Sequence, residues 1–185
     1  MDTIKKFALF FSDLHLGKGD GLDEFHCDKD FKALLDQISN DHKSDEIDLV
    51  LLGDVLDLWA VELEGEQMDY KVTPVTELRK VEEIIRAHGD VFKALGRFLC
   101  TGEAPRRLWY IFGNHDHSVC HPEIQKRISM EINRGGNGIR EEQIQFRTYY
   151  LDTKLKVYAE HGNQHAELDV MAYRQFNSFG KECPG

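Results

Sequence analysis

Asp13, His15, Asp54, Asn114 and His161 offer carboxylate, imidazole and amide donors, and each follows a short apolar run. The runs end in Asp13-Leu14-His15, Gly53-Asp54-Val55-Leu56-Asp57, Gly113-Asn114-His115-Asp116 and His161-Gly162-Asn163. Oxygen and imidazole donors without a thiolate suit borderline or hard divalent ions such as Mn²⁺, Fe²⁺ or Zn²⁺, not a soft copper site. Asp13 and His15 are two apart, so on a strand they share a face and can grip one ion as the chain leaves it. Asp54 has two oxygens and can bridge two ions. Asn114 contributes a neutral oxygen, which lowers the negative charge gathered around a phosphate. Gly53 and Gly113 permit tight turns and close approach of backbone to a ligand. Any one of these motifs alone reads as a cap or a solvated turn. All of them in this order, each after a strand-like run, point to a metal site.

The elements that must position these residues alternate. Ile4–Phe11 reads as a strand. Asp28–Asn40 reads as a helix with Phe31, Leu34, Leu35 and Ile38 at helical spacing. Asp48–Leu52 is a short apolar run of the buried parallel type. Val75–Leu99 reads as a helix with a junction at Gly89, its second half burying Val91, Phe92, Leu95, Phe98 and Leu99. Leu108–Phe112 is a third strand, and Pro122–Asn133 a helix stopped by Gly135-Gly136. Gln143–Leu151 and Leu155–Glu160 read as strands joined by a turn at Asp152-Thr153. This rhythm predicts an α/β fold with a mostly parallel sheet and a second sheet beginning after it. Ligands of such folds bind at the carboxyl ends of the strands, where the polar motifs stand. Residues 59–73 have weak periodicity and read as a loop or small insertion near the site.

The chain has 185 residues, read as one domain over 1–185, with 41% hydrophobic and 30% charged residues. Its 33 acidic and 23 basic residues give a net charge of -10. Nucleic acid is therefore not the expected partner, because binding it depends largely on Lys and Arg meeting phosphates. A phosphorylated small molecule is not excluded, since bound metal can neutralise a site locally. No segment approaches the ~20 apolar residues of a membrane span. Cys27, Cys100, Cys120 and Cys183 show neither close pairing nor zinc-knuckle spacing, which reads as reduced thiols in a cytoplasmic protein. His88-Gly89-Asp90 imitates a metal motif but lies in a helical pattern and reads as a helix junction. His117 and His121 read as a loop, either solvated or lining the substrate mouth. Arg106 and Arg107 read as surface charge ahead of a strand, and His165 as a helix-start histidine.

The set Asp13-Leu14-His15, Gly53-Asp54-Val55-Leu56-Asp57, Gly113-Asn114-His115-Asp116 and Glu160-His161-Gly162-Asn163 resembles the calcineurin-like metallophosphoesterase superfamily. The resemblance spans residues 7 to about 165. Ser12 to Gly17 and Trp59 look closest to its bacterial branch that includes UDP-2,3-diacylglucosamine pyrophosphatases. The resemblance implies an α/β/β/α sandwich and two divalent ions, foremost Mn²⁺, with Fe²⁺ or Zn²⁺ as alternatives. It implies that Asp13 and His15 bind the first ion, that Asp54 bridges, and that Asn114 and His161 bind the second. It makes His115 and Asp116 the catalytic pair, His115 facing the leaving oxygen and Asp116 orienting its ring. The implied activity is hydrolysis of a phosphate ester or pyrophosphate bond by a hydroxide that two ions activate.

The superfamily pattern ends with a GHxH motif, which this chain does not contain. The expectation is a C-terminally truncated chain with an incomplete second sheet, a partly occupied metal site and weak activity, a natural short form with a depleted site being the other explanation. A non-catalytic metal-binding or scaffold protein of the same fold is the alternative function.

Overall fold

The computed structural model describes residues 5–63 and 72–165. Ile4, part of the 59–73 stretch, Cys183 and the rest of the segment after His165 lie outside the described residues, as does any completion of the second sheet. The regular elements are β1 (Lys6–Phe11), α1 (Asp28–Asp41), β2 (Glu46–Leu52), α2 (Pro74–Cys100), β3 (Arg106–Ile111), α3 (Pro122–Asn133), β4 (Ile144–Arg147), β5 (Tyr150–Asp152) and β6 (Val157–Ala159).

β1 to β4 form a parallel sheet in sequential order, and β5 pairs with β6 in an antiparallel hairpin. Right-handed crossovers that always step in one direction place their helices on one face. α1, α2 and α3 accordingly pack side by side, burying Phe31, Leu35, Phe92 and Phe98 against Leu49, Leu51 and Leu108. The other face buries Val50 and Ile111 under Tyr150, with Val157 and Ala159 beside them. β2 is thus covered on both sides, which explains its unbroken apolar run. The architecture is α/β: helices, a parallel sheet and a small antiparallel sheet.

α1 buries Phe31 and Leu35, but Leu34 faces solvent. α2 is bent at His88, where φ and ψ leave the helical region, one residue before the expected junction. His88 is buried there between Asp23, 2.9 Å from Nε2, and Asp28, 2.9 Å from Nδ1.

Three expectations are corrected. Gln143–Leu151 is not one strand. Its first part, β4, pairs parallel with β3, and its second part, β5, crosses to the other layer. Buried polar contacts fix that crossing. Asp48 in β2 accepts from Tyr150 Oη at 2.8 Å and from Arg107 Nε at 2.7 Å, and Lys6 pairs with both Asp48 and Asp152. The turn of the hairpin is longer than expected, with β6 starting only at Val157.

Arg106 and Arg107 are not surface charge. Both lie inside β3, and Arg107 pairs with Glu46 and Asp48. Arg106 is 1% exposed; its guanidinium donates to Ser39 Oγ and to the carbonyls of Ser39, His42 and Phe98, and lies over the Phe98 ring. Burial holds the Arg106 pKa below its ordinary value. Arg106→Ala would leave those carbonyls without their donor. We expect it to destabilise the fold by about 3 kcal/mol or more, read as a lower urea midpoint at unchanged m-value. An unchanged midpoint would show that water replaces the guanidinium without cost.

Candidate metal centre

The loops that leave β1 and β2 run side by side and are zipped together by backbone hydrogen bonds. The amide of Asp13 donates to Gly53 O (3.2 Å), His15 to Asp54 O (2.9 Å), Leu16 to Val55 O (2.9 Å), and Asp57 to Leu16 O (2.9 Å). Asp13, His15 and Asp54 all have positive φ, at 55°, 48° and 51°. L-residues adopt this region only when their surroundings impose it, and such residues gather at functional sites. Asp13 and His15 thus project from a loop, not from one face of a strand.

Close approach explains two of the glycines. A Cβ on Gly53, where φ is +82°, would stand 2.3 Å from the His161 ring, and one on Gly113 would stand 2.0 Å from Asp54 Oδ1. Gly53→Ala is expected to push His161 aside and weaken Mn²⁺ binding by roughly tenfold or more. Calorimetric titration against the parent chain checks it, and equal affinities would show that the His161 ring can yield without loss.

Asp54 lies at the centre. Its Oδ2 is 3.3 Å from His161 Nε2 and 3.7 Å from His15 Nε2, and His15 Nε2 is 3.9 Å from Asp13 Oδ1. The ligand atoms of Asp13, Asp54 and His161 all lie within 4.8 Å of one another, as do those of His15, Asp54 and His115. Burial disfavours the charge on Asp54, but bonds from His161 and the His115 amide hold its carboxyl below the ordinary range. The bond to Asp54 raises the His161 ring to about 9 against the opposing effect of burial. His161 Nδ1–H donates to Leu52 O at 2.9 Å, which turns Nε2 toward Asp54. Asn114 follows β3 and lines a crevice beside His115.

These residues fit a divalent cation. Donors about 2 Å from a shared ion stand some 3–4 Å from one another, which is the spacing seen between these nitrogens and oxygens. His15 sits among carboxylates beyond hydrogen-bond reach, with Nδ1 buried and unbonded. Among the described residues, the ion pairs of Asp13, Asp54 and Asp57 all run to histidines. The clustered carboxylates therefore have no lysine or arginine among the described residues to neutralise them.

His115 and Asp116 separate. His115 Nδ1–H donates to Asp57 Oδ1 at 2.9 Å, and the His115 amide donates to Asp54 Oδ1 at 3.0 Å. Trp59 stacks on the His115 ring with centroids 4.2 Å apart, and His15 meets it edge-on at 4.7 Å. Asp116 is fully buried and accepts from the amides of Gly113 (2.7 Å) and Val55 (2.9 Å) and from Tyr110 Oη (2.8 Å). Burial pushes both the Asp116 carboxyl and the Tyr110 hydroxyl up. The expectation that Asp116 orients His115 is therefore corrected: Asp57 holds the ring, and Asp116 ties the β3 loop to the β2 loop. Sequence reasoning quoted Asp57 within its motif but gave it no role. Its signal is a second carboxylate three residues beyond Asp54.

His165 is exposed and pairs with Glu160, away from the ligand groups. His117 borders the crevice, its pKa lowered by burial and by His121. A roomier groove lies elsewhere, between α3 and β4, and contains none of these residues.

No helix among the described residues is long and apolar enough to cross a membrane. Comparison with curated proteins and with solved structures returns no match. The family model for calcineurin-like phosphoesterases matches residues 8–184, nearly the whole chain. That family hydrolyses phosphoric esters with bound divalent metal, and this chain belongs to it.

Proposed function

We propose that this chain hydrolyses a phosphate ester or pyrophosphate bond of a small molecule with two divalent ions. The observation that carries the reading is that one carboxylate, Asp54, stands between His15 and His161, 3.7 Å and 3.3 Å from their Nε2 atoms, and so can join an ion held by each. In this reading Asp13 and His15 hold the first ion, Asp54 bridges, and Asn114 and His161 hold the second. Mn²⁺ suits the donor set, as do Fe²⁺ and Zn²⁺. When bound, the ions supply Lewis acidity and a nucleophile made from water at neutral pH.

The chain's own residues do the rest. Leu52 O fixes the His161 tautomer, so that Nε2 is the donor atom. Asp57 does the same for His115 by holding its Nδ1. His115 Nε2–H then gives its proton to the leaving oxygen as the P–O bond breaks. Trp59 covers one face of that ring and shields it from water.

The net charge of -10 favours a small substrate over nucleic acid. Ser12 to Gly17 and Trp59 support the branch that includes UDP-2,3-diacylglucosamine pyrophosphatases. A cytoplasmic location and a single domain with residues 59–73 beside the site complete the proposal. With no GHxH among its residues, the 185-residue chain is expected to be a weak catalyst.

The test is elemental analysis of protein purified without chelator, with Mn²⁺-dependent hydrolysis of p-nitrophenyl phosphate and bis(p-nitrophenyl) phosphate. Bound metal with measurable turnover supports the reading. Bound metal without turnover of either ester would favour the scaffold alternative, and absence of metal would overturn both.

A further inference from the structure

Trp59 lies five residues after Asp54, is 47% exposed, and keeps its ring stacked on His115 at an interplanar angle of 28°. An exposed tryptophan is ordinary by itself. This one is held in place beside the proposed proton donor. Lys80 Nζ donates to Leu58 O at 2.8 Å, and the Ala60 amide donates to Asp57 Oδ1 at 3.1 Å, so the turn is fastened on both sides of Trp59. Asp57 therefore fixes the imidazole and the turn bearing the indole together.

The crevice at this point is lined by Trp59, Val72, Glu77, Lys80, Asn114 and His117, among others. Lys80 pairs with buried Glu77 at 3.1 Å, so its charge is already matched. Burial and His121 hold His117 below its ordinary value. Among the described residues, the crevice offers an aromatic surface and a matched ion pair. A leaving phosphate, with its multiple charges, would find little there to receive it. A flat apolar group would find a ring.

We propose that Trp59 is the platform on which the leaving group stacks, and that the site prefers esters whose leaving oxygen carries a planar aromatic ring. The proposal rests on the hydrolytic reading and narrows it from phosphate esters and pyrophosphates to aryl esters. One water is consumed. Its oxygen forms the new bond to phosphorus and its proton passes to solvent, the bond from phosphorus to the aryl oxygen breaks, and that oxygen takes the His115 proton to leave as a phenol, His115 regaining a proton from solvent. The indole that would receive the aryl ring lies against His115, with ring centroids 4.2 Å apart.

Phenylphosphonate and cyclohexylphosphonate test this. They match in charge and size, resist cleavage, and differ in aromaticity. Calorimetric binding to the Mn²⁺-loaded chain should favour phenylphosphonate by about three- to tenfold, the range of aromatic stacking. Trp59→Leu should abolish the preference, and Trp59→Phe should retain most of it. Equal binding by the parent chain, or a preference that survives Trp59→Leu, overturns the proposal. Turnover of phenyl phosphate separates it from the reading beneath. Turnover without discrimination removes the platform alone, whereas discrimination without turnover removes hydrolysis and leaves the platform standing.

Discussion

Asp54→Asn is expected to lower bound metal to at most one ion per chain and to reduce hydrolysis by at least about a hundredfold. The substitution keeps the shape of the side chain and removes one charge. It leaves a single acceptor oxygen where two are needed, since an amide nitrogen does not ligate a cation. That oxygen cannot serve both the ion held by Asp13 and His15 and the ion held by Asn114 and His161, which Asp54 would join. The hydrogen bond from the His115 amide can persist, so the fold should survive, as circular dichroism would show. Metal content by elemental analysis and turnover of an activated aryl ester are the two measurements. Equal metal in both proteins would remove Asp54 from the role of bridge.

The second expected result separates the two aspartates near His115. His115→Ala should reduce turnover by roughly 10²–10⁴-fold, the usual worth of general-acid catalysis, while leaving metal largely bound. Asp57→Asn should lose part of that factor, because the carboxylate that fixes the ring becomes a weaker, neutral acceptor. In the His115→Ala background the same change should cost nothing further, because Asp57 would act through the ring. The losses should be larger for esters with poor leaving groups, which need the proton most. Asp116→Asn should behave differently. Its amide nitrogen would confront groups that donate to the carboxylate, namely the Gly113 and Val55 amides and Tyr110 Oη. It should lower the melting temperature more than it lowers turnover of the protein that remains folded. Metal lost in His115→Ala would make His115 a ligand, and an additive loss from Asp57→Asn would deny that it acts through His115.

Several features of this protein were legible in its residues. The alternation of apolar runs and 3.6-residue periodicity located β1 to β3 and α1 to α3 within a few positions, because those patterns reflect burial on two faces or on one. The polar motifs after β1 to β3 marked Asp13, His15, Asp54 and Asn114 as candidates, because parallel strands all end on one side of the sheet, whereas His161 follows β6 of the antiparallel hairpin and was marked by its own motif alone. Linear order failed where neighbours in the chain face different ways. Asp116 adjoins His115 in sequence yet turns into the core, while Asp57 reaches the ring from another loop. The run from Gln143 to Leu151 is uniformly strand-like, and only the buried hydroxyl of Tyr150 on Asp48 shows where the chain changes layers. Arg106 looked like surface charge because a sequence shows a side chain's polarity but not the carbonyls that receive it. The residue types thus determined which chemistry and which elements were available. Which carboxylate meets which histidine was decided by tertiary structure, because a hydrogen bond selects among groups that the fold, not the chain, makes neighbours.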